Sequence, residues 1–198
     1  MLANPDDGGY SVDEALLEWV YKKFPSSNHC TILELGAGKS TEEFKAHGYN
    51  VISIEHDSRF VGLVPGVKYI HAPIEMYDAK HDLPPSIKKR IHGQTGWYSR
   101  KAIVSGLRGL HYDLILIDGP PRNFGRAGFL ANVGLFSTNG IPLIFDDMHR
   151  ADDLFVARRM AAHLGRDLLI KNNGFEIVGQ KNNGDTKAQE KKPFGILL

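Results

Sequence analysis

From Val12 to Phe24 the apolar residues Val12, Ala15, Leu16, Trp19, Val20 and Phe24 recur at helical spacing and mark one buried stripe. Ser11, with Glu14 three positions on, reads as a capping box that starts this helix, and Pro25 with Ser26 ends it. Residues 1–28 are therefore expected to form an N-terminal helical segment. After it the pattern changes to short runs rich in Ile, Leu and Val at Thr31–Leu35, Val51–Glu55, Val67–His71, Leu114–Asp118 and Ile141–Asp146. Such continuous apolar runs suit strands covered on both faces.

Helical patterns fall between them, at Ser40–His47, Arg100–Leu107, Asn123–Phe136 and Asp152–Leu164. The last carries Asp152 and Asp153 at its start, Arg158, Arg159 and His163 toward its end, and Gly165 as a cap, an order that complements the helix dipole. Strands alternating with helices imply right-handed crossovers and a mostly parallel sheet with helices on both faces, a doubly wound α/β fold. Asp78–Tyr98 breaks the pattern with Pro84, Pro85, Gly93 and Gly96, and its Lys80, Lys88, Lys89 and Arg90 make it a candidate lid or substrate loop beside the plainer reading of a solvated connection. The polar run Lys181–Lys192 sits between Phe175–Gln180 and Phe194–Leu198, which read as a C-terminal antiparallel hairpin with 181–192 as its tip.

Composition changes this picture little. With 198 residues, 42% hydrophobic and 24% charged, the chain matches one globular domain. Its 24 Lys and Arg are balanced by 23 Asp and Glu, so no basic excess points to nucleic acid. No stretch approaches a membrane span, and the N-terminal residues lack the pattern of a secretory signal. Cys30 is the only cysteine, which fits a reducing, cytoplasmic setting and a small apolar packing role. Oligomeric state leaves no trace in the sequence.

The chemistry concentrates at strand ends. Thr31–Thr41 runs from a strand through Gly36-Ala37-Gly38 into a helix at Ser40, and glycines there let the backbone turn tightly and approach a ligand. Glu55, with His56 beside it, ends the next strand 19 residues after Gly36, the spacing at which an acid meets ribose hydroxyls. Thr41 stands where a dinucleotide fingerprint needs its third glycine, and Glu34 places a carboxylate that would repel a diphosphate but attract a cationic amino end. On these residues the sequence resembles the class I S-adenosylmethionine-dependent methyltransferases, with Glu34-Leu35-Gly36-Ala37-Gly38 similar to their first motif and Glu55 to their ribose-binding acid. The resemblance spans roughly Thr31 to Leu164. It implies a Rossmann-like methyltransferase fold and a cofactor site formed by Glu34, Gly36, Ala37, Gly38, Ser40, Glu55 and His56.

Two further strands end in acids: Asp118 before Gly119-Pro120-Pro121, and Asp146-Asp147 before Met148-His149-Arg150. Neighbouring strands are only about 4.8 Å apart, so Asp118, Asp146 and Asp147 are expected to converge in the ligand crevice. Three gathered carboxylates need a proton or a cation, and an all-oxygen set suits Mg²⁺ or another hard divalent ion. Arg122, Arg126 and Arg150 offer the alternative of ordinary ion pairs. The 28-residue spacing from Asp118 to Asp146 resembles the metal-dependent O-methyltransferases of the catechol type, and the wording around both acids also resembles bacterial sugar and plant glucuronoxylan methyltransferases. Catechol enzymes place a lysine base three residues after the first acid, where this chain has Pro121.

These features together predict methyl transfer to a hydroxyl of a small molecule or sugar, with Asp118, Asp146 and Asp147 as metal ligands and Asp118 and His149 as catalytic groups. His149 is the candidate base because imidazole titrates near neutrality. Trp97 and Tyr98 are candidate walls of the acceptor pocket. The competing expectations are a metal-independent methyltransferase of the same fold, a nicotinamide-dependent oxidoreductase and a non-catalytic nucleotide-binding module.

Overall fold

The structure is a computed structural model that describes residues 12–76, 96–171 and 193–198. Helix α1 (Glu14–Lys23) starts two residues later than a Ser11 cap would set it, because Asp13 is the N-cap and its side chain accepts from Ala15 N at 2.8 Å. Asp ranks with Ser as a capping residue and adds a negative charge at the positive end of the helix. Strand β1 (Thr31–Leu35), helix α2 (Lys39–Ala46), β2 (Asn50–Glu55) and β3 (Lys68–His71) follow, then a two-stranded antiparallel ribbon of β4 (Ile74–Met76) and β5 (Gly96–Tyr98). The second half holds α3 (Arg100–Leu107), β6 (Leu114–Ile117), α4 (Ala127–Asn132), β7 (Leu143–Phe145), α5 (Ala151–Leu164), β8 (Leu168–Lys171) and β9 (Phe194–Leu197).

Seven strands form one sheet in the order β3-β2-β1-β6-β7-β9-β8, parallel except for β9, which runs antiparallel to both its neighbours. Side chains alternate across it. Leu33, Leu35, Ile115 and Ile117 face the layer that holds α3, α4 and α5, while Ile32, Leu114 and Leu116 face Leu16 and Val20 of α1 and Phe44 of α2. Cys30 packs with the second layer, 5% exposed, and burial followed by the charge of Asp113 pushes its thiol up to about 11. Among the described residues no helix is long and apolar enough to cross a membrane.

The expected helix over Asn123–Phe136 is split. Gly125 adopts φ +70°, so regular helix begins only at Ala127 and tightens into a 3₁₀ turn over Val133–Leu135. Strand β8 was not read from the sequence; its alternation of half-buried and exposed residues marks an edge strand, and it is the observed antiparallel partner of β9. Phe175–Gln180, the tip at 181–192 and most of the candidate lid at 78–98 lie outside the described residues.

Gly128 in α4 carries the packing of Trp97: a Cβ there would stand 2.7 Å from three atoms of that side chain, which is only 2% exposed. Gly128→Ala should therefore destabilise the fold by about 1–3 kcal/mol in urea denaturation, despite the better helix propensity of Ala. Gly134→Ala, with open space around its Cβ, should be near neutral in the same measurement.

Candidate active site

The sheet order reverses between β1 and β6, and a doubly wound sheet opens its ligand crevice beyond the carboxyl ends of such strands. Here the two turns touch through glycines. Gly36 takes φ +99°, its N–H donates to Ile54 O at 2.9 Å, and a Cβ on it would lie 3.3 Å from the backbone of Gly119. A Cβ on Gly119 would in turn crowd Leu35 O at 2.9 Å and Gly36 Cα at 3.0 Å. Neither loop has room for a side chain at this contact.

Glu34 shares the sheet face of Ile32, so it points under the first turn of α2. It is fully buried, accepts from Ser40 Oγ on one oxygen and accepts from Thr41 Oγ1 at 2.6 Å on the other. Thr41 Oγ1 also accepts from Gly38 N at 3.0 Å, which closes the turn onto the helix. Burial raises the Glu34 carboxyl to about 7 against the pull of these hydroxyls. As placed, Glu34 braces the glycine turn from behind.

Glu55 ends β2 and is 3% exposed. Its Oε2 accepts from Ala37 N at 2.7 Å, and its Oε1 accepts from the backbone N–H groups of His56 and Asp57 at 2.7 and 2.6 Å, with His56 Nδ1 2.6 Å away. Burial would lift this carboxyl, but the donors of His56, Asp57 and Ala37 outweigh it and hold it below the ordinary carboxylate range. A carboxylate oxygen can accept more than one hydrogen bond, so Oε2 keeps acceptor capacity toward the crevice. The His56 ring lies edge-on to Tyr98 and Phe124, with centroids 6.3 and 6.2 Å apart.

Asp118, Asp146 and Asp147 do converge: one oxygen from each lies within 4.8 Å of the others. The cation among them is Arg126, 2% exposed. Its Nη1 donates to Asp146 O at 2.7 Å and its Nη2 to Asp118 O at 2.7 Å, Asp118 Oδ1 at 3.1 Å and Asp147 Oδ2 at 2.7 Å. Arg150 Nη1 lies 2.6 Å from the same Asp147 oxygen, and Asp153 Oδ2 stands 3.4 Å from Arg126 Nη1. Burial, then the charge of Asp146, holds the Asp118 carboxyl well above the usual range against the pull of Arg126.

The three carboxylates lie close enough to share a metal ion, but Arg126 already draws on two of them. A divalent ion drawing on the same oxygens would sit roughly 4 Å from the guanidinium, where repulsion reaches about 8 kcal/mol at an effective dielectric constant of about 20. As arranged, these residues hold a guanidinium, and a metal ion at the same oxygens would have to share them with Arg126.

His149 follows the pair with its side chain 43% exposed and its Nδ1 4.0 Å from Asp147 Oδ1. Trp97 and Tyr98 part company, as adjacent strand residues do: Trp97 packs against Gly128 and Phe129, and Tyr98 turns to Gly119. Arg122 stays exposed, while a cleft of about 340 Å³ opens beside the cluster, lined by Pro120, Arg122, Arg126, Arg150 and Asp152. Asp153 was read only as a helix-start charge; its helical register, six residues after Asp147, gives no linear signal that it meets Arg126.

No protein-family model matches the sequence, and no curated protein does. Solved structures share its fold at low identity. The METTL16 MTase domain is 11% identical with a TM-score of 0.50, covering 97% of this chain and 74% of that one. A SAM-dependent methyltransferase from Archaeoglobus fulgidus is 10% identical with a TM-score of 0.49, covering 93% of both. A TehB-like SAM-dependent methyltransferase from Corynebacterium glutamicum is 13% identical with a TM-score of 0.44, covering 85% of this chain and 79% of the other.

Glu34 binds its proton more tightly in the folded chain than in the unfolded one, where it titrates near 4.5. Its contribution is therefore full below about pH 4.5 and is lost as pH rises through about 7. Between about pH 5 and pH 8, wild type should lose on the order of 2 kcal/mol more stability than Glu34→Gln in paired denaturant titrations.

Proposed function

We propose that this chain is an S-adenosylmethionine-dependent methyltransferase that methylates a hydroxyl of a small molecule or sugar without a metal ion. The observation that carries the reading is Glu55: an acid at the end of β2 whose Oε2 clasps Ala37 N in the glycine turn while keeping acceptor capacity for a ribose hydroxyl. The backbone of Gly36 and Gly38, free of Cβ atoms, forms the floor on which the nucleoside lies, with Ala37 between them and His56 at its side. Thr41 supports this donor over a dinucleotide. Its hydroxyl ties Gly38 N to Glu34, work that the third glycine of a dinucleotide fingerprint cannot do. The Glu34 carboxylate behind the turn also disfavours a diphosphate.

The bound sulfonium supplies an activated methyl group. The acceptor oxygen attacks that carbon in line, the carbon–sulfur bond breaks, and the sulfur leaves as a neutral thioether. The hydroxyl proton passes to His149, whose Nδ1 lies 4.0 Å from Asp147 Oδ1. Asp118 and Asp147 hold Arg126, and the cleft beside them, lined by Arg122, Arg126, Arg150 and Asp152, offers polar groups to a hydroxyl-bearing acceptor. In this reading the sequence expectation of Mg²⁺ at Asp118, Asp146 and Asp147 gives way to Arg126, held by the carboxylates of Asp118 and Asp147 and by the backbone carbonyl of Asp146.

Calorimetry with purified protein should show heat from S-adenosylmethionine and S-adenosylhomocysteine and none from NADH; silence from both sulfur nucleosides would sink the assignment. Once an acceptor turns over, the rate should survive excess EDTA, and loss of the rate there would restore the metal. His149→Gln should lower kcat by roughly a hundredfold or more while leaving donor affinity unchanged. A variant with wild-type kcat would remove His149 from the mechanism.

A further inference from the structure

The alternation along β5 sends Tyr98 into the wedge between the two glycine turns, where the proposed mechanism leaves it without work. Tyr98 is 1% exposed. A methyl group built on Gly119 would overlap its hydroxyl, which fixes that oxygen against the backbone of the turn after β6. Its ring meets His56 edge-on, so the same side chain spans from the β2 turn to the β6 turn. Yet among the described residues no group hydrogen-bonds Tyr98 Oη.

That combination is costly. A buried hydroxyl without a partner forfeits its hydrogen bond to water, and Phe would keep the shape and lose the penalty. Burial first, then the charges of Glu55 and Asp118, keep the phenol protonated well above its ordinary range, so the group stays a hydrogen-bond donor. Those same acids stand near it without accepting its proton. Among the described residues no acceptor remains for it, and a ligand seated between those acids would supply one.

We propose that Tyr98 is a binding residue of the nucleoside site, its Oη donating a hydrogen bond to an acceptor atom on the nucleoside half of the methyl donor. The inference rests on the methyl-donor reading of the Glu55 turn, since Oη shares the wedge with that carboxylate. It assigns Tyr98 to the cofactor, where the sequence pattern offered it as a wall for the acceptor.

The test compares wild type with Tyr98→Phe by calorimetry, using S-adenosylhomocysteine and adenosine as probes, together with the melting temperature of the ligand-free protein. The proposal expects affinity for both probes to fall roughly tenfold, while the ligand-free melting temperature stays level or rises. Equal affinities, with wild type binding both probes, overturn the role of Tyr98 and spare the donor assignment. A lower melting temperature with unchanged affinity also overturns it, because the hydroxyl would then serve the fold. If wild type binds neither probe, the donor assignment itself fails and takes this inference with it.

Discussion

The contact between Gly36 and Gly119 is the constraint on which the rest of the site depends. Two neighbouring parallel strands, β1 and β6, end side by side, and their turns leave the sheet in backbone-to-backbone contact. Strand spacing alone would hold such turns about 4.8 Å apart. Any side chain at either glycine would pry them open. Because they close, Ala37 N reaches Glu55 Oε2, Asp118 enters the crevice beside Gly119, and Tyr98 Oη is trapped against the same backbone. One steric condition therefore places the acid of the β2 turn, the acid of the β6 turn and the phenol between them.

Electrostatics then divides the acids into two kinds. Glu55 is surrounded by donors that favour its charge, and it stays an acceptor despite near-complete burial. Glu34, equally buried, has only hydroxyls for partners and is raised to about 7. The difference lies in the His56 side chain and then in the backbone N–H groups of Asp57 and Ala37, which the end of β2 gathers and the middle of β1 cannot, its own amides being committed to the sheet. The cluster at β6 and β7 uses a third solution. There a buried guanidinium, fixed by two carbonyl oxygens as well as by carboxylates, stands beside the oxygens that a metal would need.

Much of the architecture was legible because it depends on local pattern. Apolar runs located β1, β2, β3, β6 and β7, and the turn residues marked where chemistry gathers. Asp118, Asp146 and Asp147 came together as strand-end spacing implied. The content of that cluster was not legible. Whether three acids bind a metal or an arginine depends on where Arg126 lies, and Gly125, by its positive φ, delays α4 and aims that side chain back at the strand ends. Glu34 shows the same limit. Its place before the glycines suggested a ligand-facing role, while the alternation of β1 turns it under α2 to Ser40 and Thr41. Strand β8 was missed because a short edge strand beside an antiparallel partner leaves only weak periodicity.

Shared fold at about a tenth sequence identity leaves chemistry to be argued from the site. Two of its features point the same way. A glycine turn braced from behind by a carboxylate disfavours phosphate, whose charge that carboxylate would oppose, and tolerates a cation. A cluster already neutralised in part by Arg126 and Arg150 lowers the demand for an exogenous ion at the acceptor side. The proposed sulfonium donor would ask for this division of labour: it carries its own activation, so the protein's task in that reading is to orient it, exclude a competing anion and receive one proton. In the proposed reaction His149, with its side chain exposed and 4.0 Å from Asp147, is the group that receives it.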